Sequence, residues 1–122
     1  MKSLVTGANG FVGSAVARCL LEAGHEVRCL VRAGSDQSNL KGLPVEISEG
    51  DLRDVASLKR AVTNCENLFH VAADYRLWVP DTETMYEINV KGTQELILAA
   101  SEANVSRIIY TSSVATLGIN ID

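Results

Sequence analysis

The sequence predicts an α/β fold, a doubly wound parallel sheet of strand order 3-2-1-4-5 in a three-layer αβα arrangement. Three observations carry this. Strand-like and helix-like segments alternate along all 122 residues. Asn67–Ala72 and Arg107–Thr111 are nearly continuous apolar runs, as in strands covered on both faces. A strand-like Leu4-Val5-Thr6 runs straight into Gly7, Gly10 and Gly13 and then into a helical pattern. Right-handed crossovers between parallel strands then set the order.

The elements follow in turn. Ser3–Thr6 is the first strand. A helix runs from about Gly10 to Ala23, with Val12, Val16, Cys19, Leu20 and Ala23 as its apolar stripe, and Gly24 stops it. Glu26–Val31 is the second strand. The polar stretch from Ala33 to Gly42 reads as a mobile loop. Pro44 leads into a third strand, Val45–Glu49. Asp54 is the expected N-cap of a short helix carrying Val55, Leu58, Ala61 and Val62. Asn67–Ala72 is the fourth strand. A long helix starts at Asp81 or Thr82 and ends near Ala103, burying Met85, Ile88, Gly92, Leu96, Ala99 and Ala103. Arg107–Thr111 is the fifth strand. No repeat, low-complexity segment or domain boundary interrupts the chain, so residues 1–122 read as one domain.

Composition narrows the class. Hydrophobic residues make up 47% and charged residues 21%, ordinary values for a globular protein. A net charge of −4 without a basic cluster argues against nucleic acid. No apolar run is long enough to span a membrane, and no leader precedes Leu4, which points to the cytoplasm. Cys19, Cys29 and Cys65 lie among apolar residues and read as core thiols; no metal site is expected.

The glycines carry the chemistry. Gly7 stands where the chain turns sharply, a conformation cheap only without a Cβ. Gly10 opens the helix, where a side chain would keep a pyrophosphate from the backbone N–H groups. Gly13 lets the helix approach the sheet. Unpaired N–H donors and a partial positive charge at the helix start suit a phosphate. This arrangement implies a dinucleotide.

Ligands of such sheets sit at the carboxyl ends of the strands, near the reversal of strand order between the first and fourth. Arg32 ends the second strand, nineteen residues after Gly13. A carboxylate there would bind the ribose of NAD; a guanidinium pairs with the 2′-phosphate of NADP. NADP is preferred over NAD, with a merely solvated arginine as the plain reading. Ser35, Asn39 or Lys41 would assist Arg32, and Asp36 is a more distant ribose ligand. Asp51 either accepts from an adenine amino group, with Leu52 against the ring, or prepares the next helix. Ala72 and Ala73 give a flat surface for a cofactor or simply pack tightly. His70 reads as a core histidine. Asn89 puts an amide on a buried stripe, to hold the fourth strand or a water, or for a tertiary hydrogen bond. Thr111, Ser112 and Ser113 offer hydroxyls to a substrate oxygen or just end a strand.

Together these residues resemble the extended short-chain dehydrogenase/reductases, the NAD-dependent epimerase/dehydratase family, whose fold is the Rossmann type. Thr6 to Gly13 meets Thr-Gly-x-x-Gly-x-x-Gly. Asp51-Leu52, His70 to Ala73, Asn89-Val90-x-Gly92-Thr93 and Tyr110 to Ser113 fall at family positions. Phe69 to Pro80 most resembles the hopanoid-associated sugar epimerases and the related dihydroflavonol 4-reductase-like enzymes. The resemblance implies that Gly7, Gly10, Phe11, Val12 and Gly13 hold the pyrophosphate, Arg32 the 2′-phosphate and Asp51-Leu52 the adenine. Ala72, Ala73 and Thr111 would line the nicotinamide ribose. Ser113 would be the catalytic serine, and Asp74, Tyr75 and Trp78 would border a pocket for a sugar nucleotide or ketone.

One family feature is missing. The proton-transferring tyrosine belongs to Tyr-x-x-x-Lys, where the lysine lowers its pKa. Tyr75, Tyr86 and Tyr110 are followed at that spacing by Val79, Val90 and Val114. The expectation is an N-terminal portion of an oxidoreductase or epimerase, without the C-terminal part of the fold or the substrate lobe. Such a piece is expected to bind nucleotide weakly, to be inactive alone and to self-associate or be poorly soluble through an exposed sheet edge. The alternative is a non-catalytic dinucleotide sensor.

Overall fold

The structure, a computed structural model, describes residues 1–71 and 87–110. Five parallel strands form one sheet: β1 (Lys2–Thr6), β2 (Glu26–Val31), β3 (Glu46–Glu49), β4 (Asn67–His70) and β5 (Arg107–Tyr110). Their order is β3-β2-β1-β4-β5, as the sequence predicts. Thr6 lies opposite Leu30 on one side and His70 on the other, and His70 lies opposite Tyr110. The carboxyl ends of β1, β4 and β5 are therefore level.

Helix α1 (Phe11–Glu22) joins β1 to β2, and α2 (Val55–Val62) joins β3 to β4. A turn of π-helix, Glu87–Gly92, runs into α3 (Thr93–Glu102) ahead of β5. Strand pleating splits the core into two. Leu4 points to one face with Leu30, Leu58, Leu68 and Leu96, beneath α2 and α3. Val5 points to the other with Cys29, Val31, Ala17 and Leu20, beneath α1. Right-handed crossovers demand this: β1→β2 steps one way across the sheet, and β3→β4→β5 steps the other, so their helices take opposite faces.

Helix ends show their causes. Gly24 has φ +90°, and the N–H groups of Gly24 and His25 donate to Leu21 and Leu20 oxygens, both at 3.0 Å. That is a Schellman cap. Asn104, at φ +62°, repeats it after α3, with Val105 N–H donating to Ala100 O at 3.0 Å.

Several expectations are corrected. The buried face of α1 is Gly13, Ser14, Ala17 and Leu20, while Val12 and Cys19 face outward and Ala23 is exposed. The helix is pressed so close to the glycine turn that small residues must face the sheet. Cys29 and Cys65 are core thiols, with burial pushing Cys29 up to about 12 and raising Cys65, but Cys19 is exposed. Asp54 takes the N-cap position of α2 without a side-chain cap bond. Ser57 stitches this corner instead, donating to Asp54 O at 2.7 Å and accepting from Asp51 N–H at 3.1 Å. The loop after β2 contains a 3₁₀ turn, Ser38–Leu40, whose Leu40 is buried in the α1-side core. The long helix is confirmed from Gly92 onward, with Gly92, Leu96 and Ala99 buried. Its expected start at Asp81 or Thr82, and Met85, lie outside the described residues.

Candidate functional site

At the end of β1 the chain turns through Gly7, whose φ of +64° lies in the left-handed region. Gly10 N–H donates to Gly7 O at 3.1 Å and closes the turn. Gly10 is the N-cap of α1; no side chain caps this end and no acidic residue occupies the first turn. The first-turn N–H groups therefore have neither a side-chain cap nor an intrahelical acceptor. Phe11 and Val12 flank them, 88% and 47% exposed.

The three glycines have different reasons. A Cβ on Gly13 would stand 1.9 Å from Gly7 O and 2.6 Å from Gly7 C, so the close approach of helix and turn permits only glycine. A Cβ on Gly10 would meet Gly7 O at 3.4 Å, a contact the protein could bear. The protein's own packing does not demand glycine at position 10, which leaves room for a ligand as the reason. An uncapped helix start behind a glycine cradle fits a pyrophosphate.

Asn9 braces the turn. Its side-chain amide donates to Asp36 O and its carbonyl accepts from Asn39 Nδ2, both at 2.9 Å. The sequence reading missed Asn9, whose partners lie in a distant loop. Asn39 is thereby committed to the turn, not to Arg32. Asp36 Oδ1 accepts from Ser38 N–H at 2.9 Å, which holds its carboxyl below the usual range. Ser35 bonds Arg32 only through the backbone, donating to Arg32 O at 2.6 Å.

Arg32 is exposed at the end of β2, and Asp51 is half-buried at the end of β3. Asp51 Oδ1 accepts from Arg53 N–H at 2.9 Å, and Arg53 Nη2 reaches Oδ2 at 3.1 Å. Arg53, and then Arg32 at longer range, hold the Asp51 carboxyl below the usual range. Leu52 is 7% exposed and packs in the α2-side core. Most of its surface is covered by the protein alone. Gly50 is required by packing, since a Cβ would stand 2.7 Å from Ser57 Cβ.

Below the glycine turn, at the reversal of strand order, His70 is buried as expected. Its Nδ1 lies 2.8 Å from Thr6 Oγ1 and its Nε2 2.8 Å from Thr93 Oγ1. Burial pulls its pKa down to about 4, so the ring is neutral at pH 7. Tyr110 stacks on it at 5.3 Å between ring centroids. Thr6 Oγ1 also accepts from Val71 N–H at 2.9 Å. Thr93 as a partner of His70 was not foreseen. Asn89 falls in the π turn just ahead of α3. Ala72, Ala73, Asp74, Tyr75, Trp78, Thr111, Ser112 and Ser113 lie outside the described residues.

Comparison with known proteins agrees with this fold. The profile of the NAD dependent epimerase/dehydratase family matches residues 3–122. A Synechocystis protein named as a dihydroflavonol 4-reductase is 48% identical over 97% of this chain and 34% of its own length. The crystal structure of gox2253 superposes with a TM-score of 0.85 at 61% identity, over 92% of this chain and 34% of that one. A short-chain dehydrogenase/reductase superfamily protein of Agrobacterium tumefaciens, crystallised with bound NAD, matches at a TM-score of 0.80 and 34% identity, over 93% and 33%. The chain thus spans about a third of the length of the relatives it matches. No helix among the described residues is long and apolar enough to cross a membrane. By profile, by sequence and by fold, the chain belongs to the NAD dependent epimerase/dehydratase family.

Proposed function

We propose that this chain is the cofactor-binding portion of an NAD(P)-dependent reductase or epimerase of the dihydroflavonol 4-reductase-like kind. The observation that carries the reading is the uncapped start of α1 behind the Gly7–Gly13 turn, where Gly10 is a glycine that packing does not require. Gly7, Gly10, Phe11, Val12 and Gly13 hold the pyrophosphate by backbone N–H groups. Asp51 meets the adenine and Arg32 the 2′-phosphate, which makes NADP the preferred cofactor. Ala72, Ala73, Asn89, Thr111 and Ser112 complete the nicotinamide side.

Bound here, the dinucleotide supplies a carbon that takes or gives a hydride at a carbinol or ketone carbon of the substrate. Ser113 orients the reacting oxygen, and Asp74, Tyr75 and Trp78 border the substrate, a ketone or sugar nucleotide. The chain's 122 residues contain no Tyr-x-x-x-Lys, so proton transfer falls to residues outside them.

Titration of the chain with NADP and NAD tests the reading. NADP binds more tightly, and Arg32→Ala weakens NADP roughly tenfold while leaving NAD nearly unchanged, the loss of about one charge-assisted phosphate contact. Unaltered NADP affinity in that variant would sink the cofactor assignment. Failure to bind either nucleotide would sink the reading as a whole.

A further inference from the structure

Strands β2 and β3 are paired, with Val31 opposite Glu49, and Gly50 N–H donates to Val31 O at 2.9 Å. Arg32 and Asp51 therefore leave the sheet side by side. This is an awkward place for a carboxylate. A 2′-phosphate carries up to two negative charges, and a carboxylate beside its arginine both repels it and competes for the guanidinium. The sequence alone leaves that conflict standing.

The structure resolves it through a residue outside the family signature. Arg53 turns back onto Asp51, with Nε 3.2 Å from Oδ1 and Nη2 3.1 Å from Oδ2. Its backbone N–H adds a third contact to Oδ1 at 2.9 Å. Both carboxylate oxygens face a guanidinium, in the two-pronged geometry that arginine achieves and lysine does not. Side-chain exposures of 45% for Arg53 and 31% for Asp51 put the pair at the rim, where a nucleotide's adenosine end would lie alongside.

We propose that Arg53 is a cofactor-specificity residue: by pairing with Asp51 it neutralises the carboxylate beside Arg32 and lets this corner accept a 2′-phosphate. The inference rests on the NADP reading given above. Arg53 acts through Asp51 and is a positioning residue. Its effect falls on the 2′-phosphate alone, because NAD has no charge at that position. Asp51 keeps the ability to accept from an adenine amino group, which both nucleotides share.

The test is the ratio of NADP to NAD affinity in the full chain, by calorimetric titration at low and high salt. Arg53→Gln should lower the ratio roughly three- to tenfold at low ionic strength, with NAD affinity little changed. The drop should shrink as salt is raised, and Arg53→Lys should recover part of it. The double variant Asp51→Asn with Arg53→Gln removes both charges and should return the ratio to the wild-type value. It also carries the test if the single variant folds poorly. An unchanged ratio in Arg53→Gln, or an equal loss for both nucleotides, overturns the proposal. A wild-type ratio at or below one overturns the NADP reading instead. The change on substitution still judges Arg53.

Discussion

His70 shows what a single residue contributes here. It sits at the one level of the sheet where β1, β4 and β5 end together, and its two ring nitrogens tie Thr6, just before the glycine turn, to Thr93, the first residue of α3. Neutral imidazole matches two hydroxyls, each of which can donate or accept. Protonation there carries a desolvation penalty, and among the described residues the ring nitrogens are bonded to hydroxyls, not to carboxylates. The folded pKa of about 4 lies below the ordinary value of 6.5, so as pH falls the unfolded chain takes up the proton first. Stability from this group is complete above pH 6.5 and is lost as pH falls toward 4, by roughly 3 kcal/mol over that window. Urea unfolding of wild type and His70→Gln across pH 7.5 to 4.5 measures it. The wild type should lose stability more steeply on acidification, and parallel curves would contradict the assignment. The burial of His70 was readable from its apolar strand. Its partner Thr93 lies 23 residues away and was not, because the sequence does not say which helix residue faces a strand end.

At the scale of elements, the end of α2 depends on β2. Arg28 is 8% exposed, and its Nη1 donates to Ala61 O and Thr63 O, both at 2.7 Å. The Glu46 carboxylate lies 3.1 Å from its Nε. A cation at a helix C-terminus satisfies carbonyls that the helix itself cannot. Arg28→Met keeps the apolar stem but removes the guanidinium donor from both oxygens, leaving Ala61 O only the weak Cys65 thiol contact at 3.6 Å. A loss of about 2 kcal/mol in urea unfolding is expected; a loss below about 0.5 kcal/mol, the level of an ordinary surface substitution, would show that water replaces the guanidinium. Periodicity located α2 and, among the described residues, the start of each strand to within one residue, since pleat and helix pitch leave a local imprint. It misjudged the buried face of α1. That face is set by the contact of Gly13 with Gly7, a constraint from outside the helix.

For the molecule as a whole, the β5 side of the described sheet matters most. All four residues of β5 are exposed, with Ile108 and Ile109 at 39% and Tyr110 at 51%. An apolar, exposed strand invites pairing with another copy. Light scattering on a sizing column should show the 122-residue chain self-associating as concentration rises. Ile109→Lys should shift it toward monomer, as a charge on an exposed strand blocks such pairing. A wild-type chain that stays monomeric at high concentration would refute this.

The sequence by itself determined the strand order, the alternation of elements and the glycine turn. Each is written in local patterns: apolar runs, helical spacing, and glycines at fixed intervals after a strand. Only the tertiary structure decided which glycine is there for packing and which leaves a space. It also decided that Asn39 braces the turn, that Ser57 secures the corner assigned to Asp54, and that Arg53 closes on Asp51 beside Arg32. These depend on the positions of neighbouring strand ends in space. Spacing along one strand cannot report what the next one brings alongside.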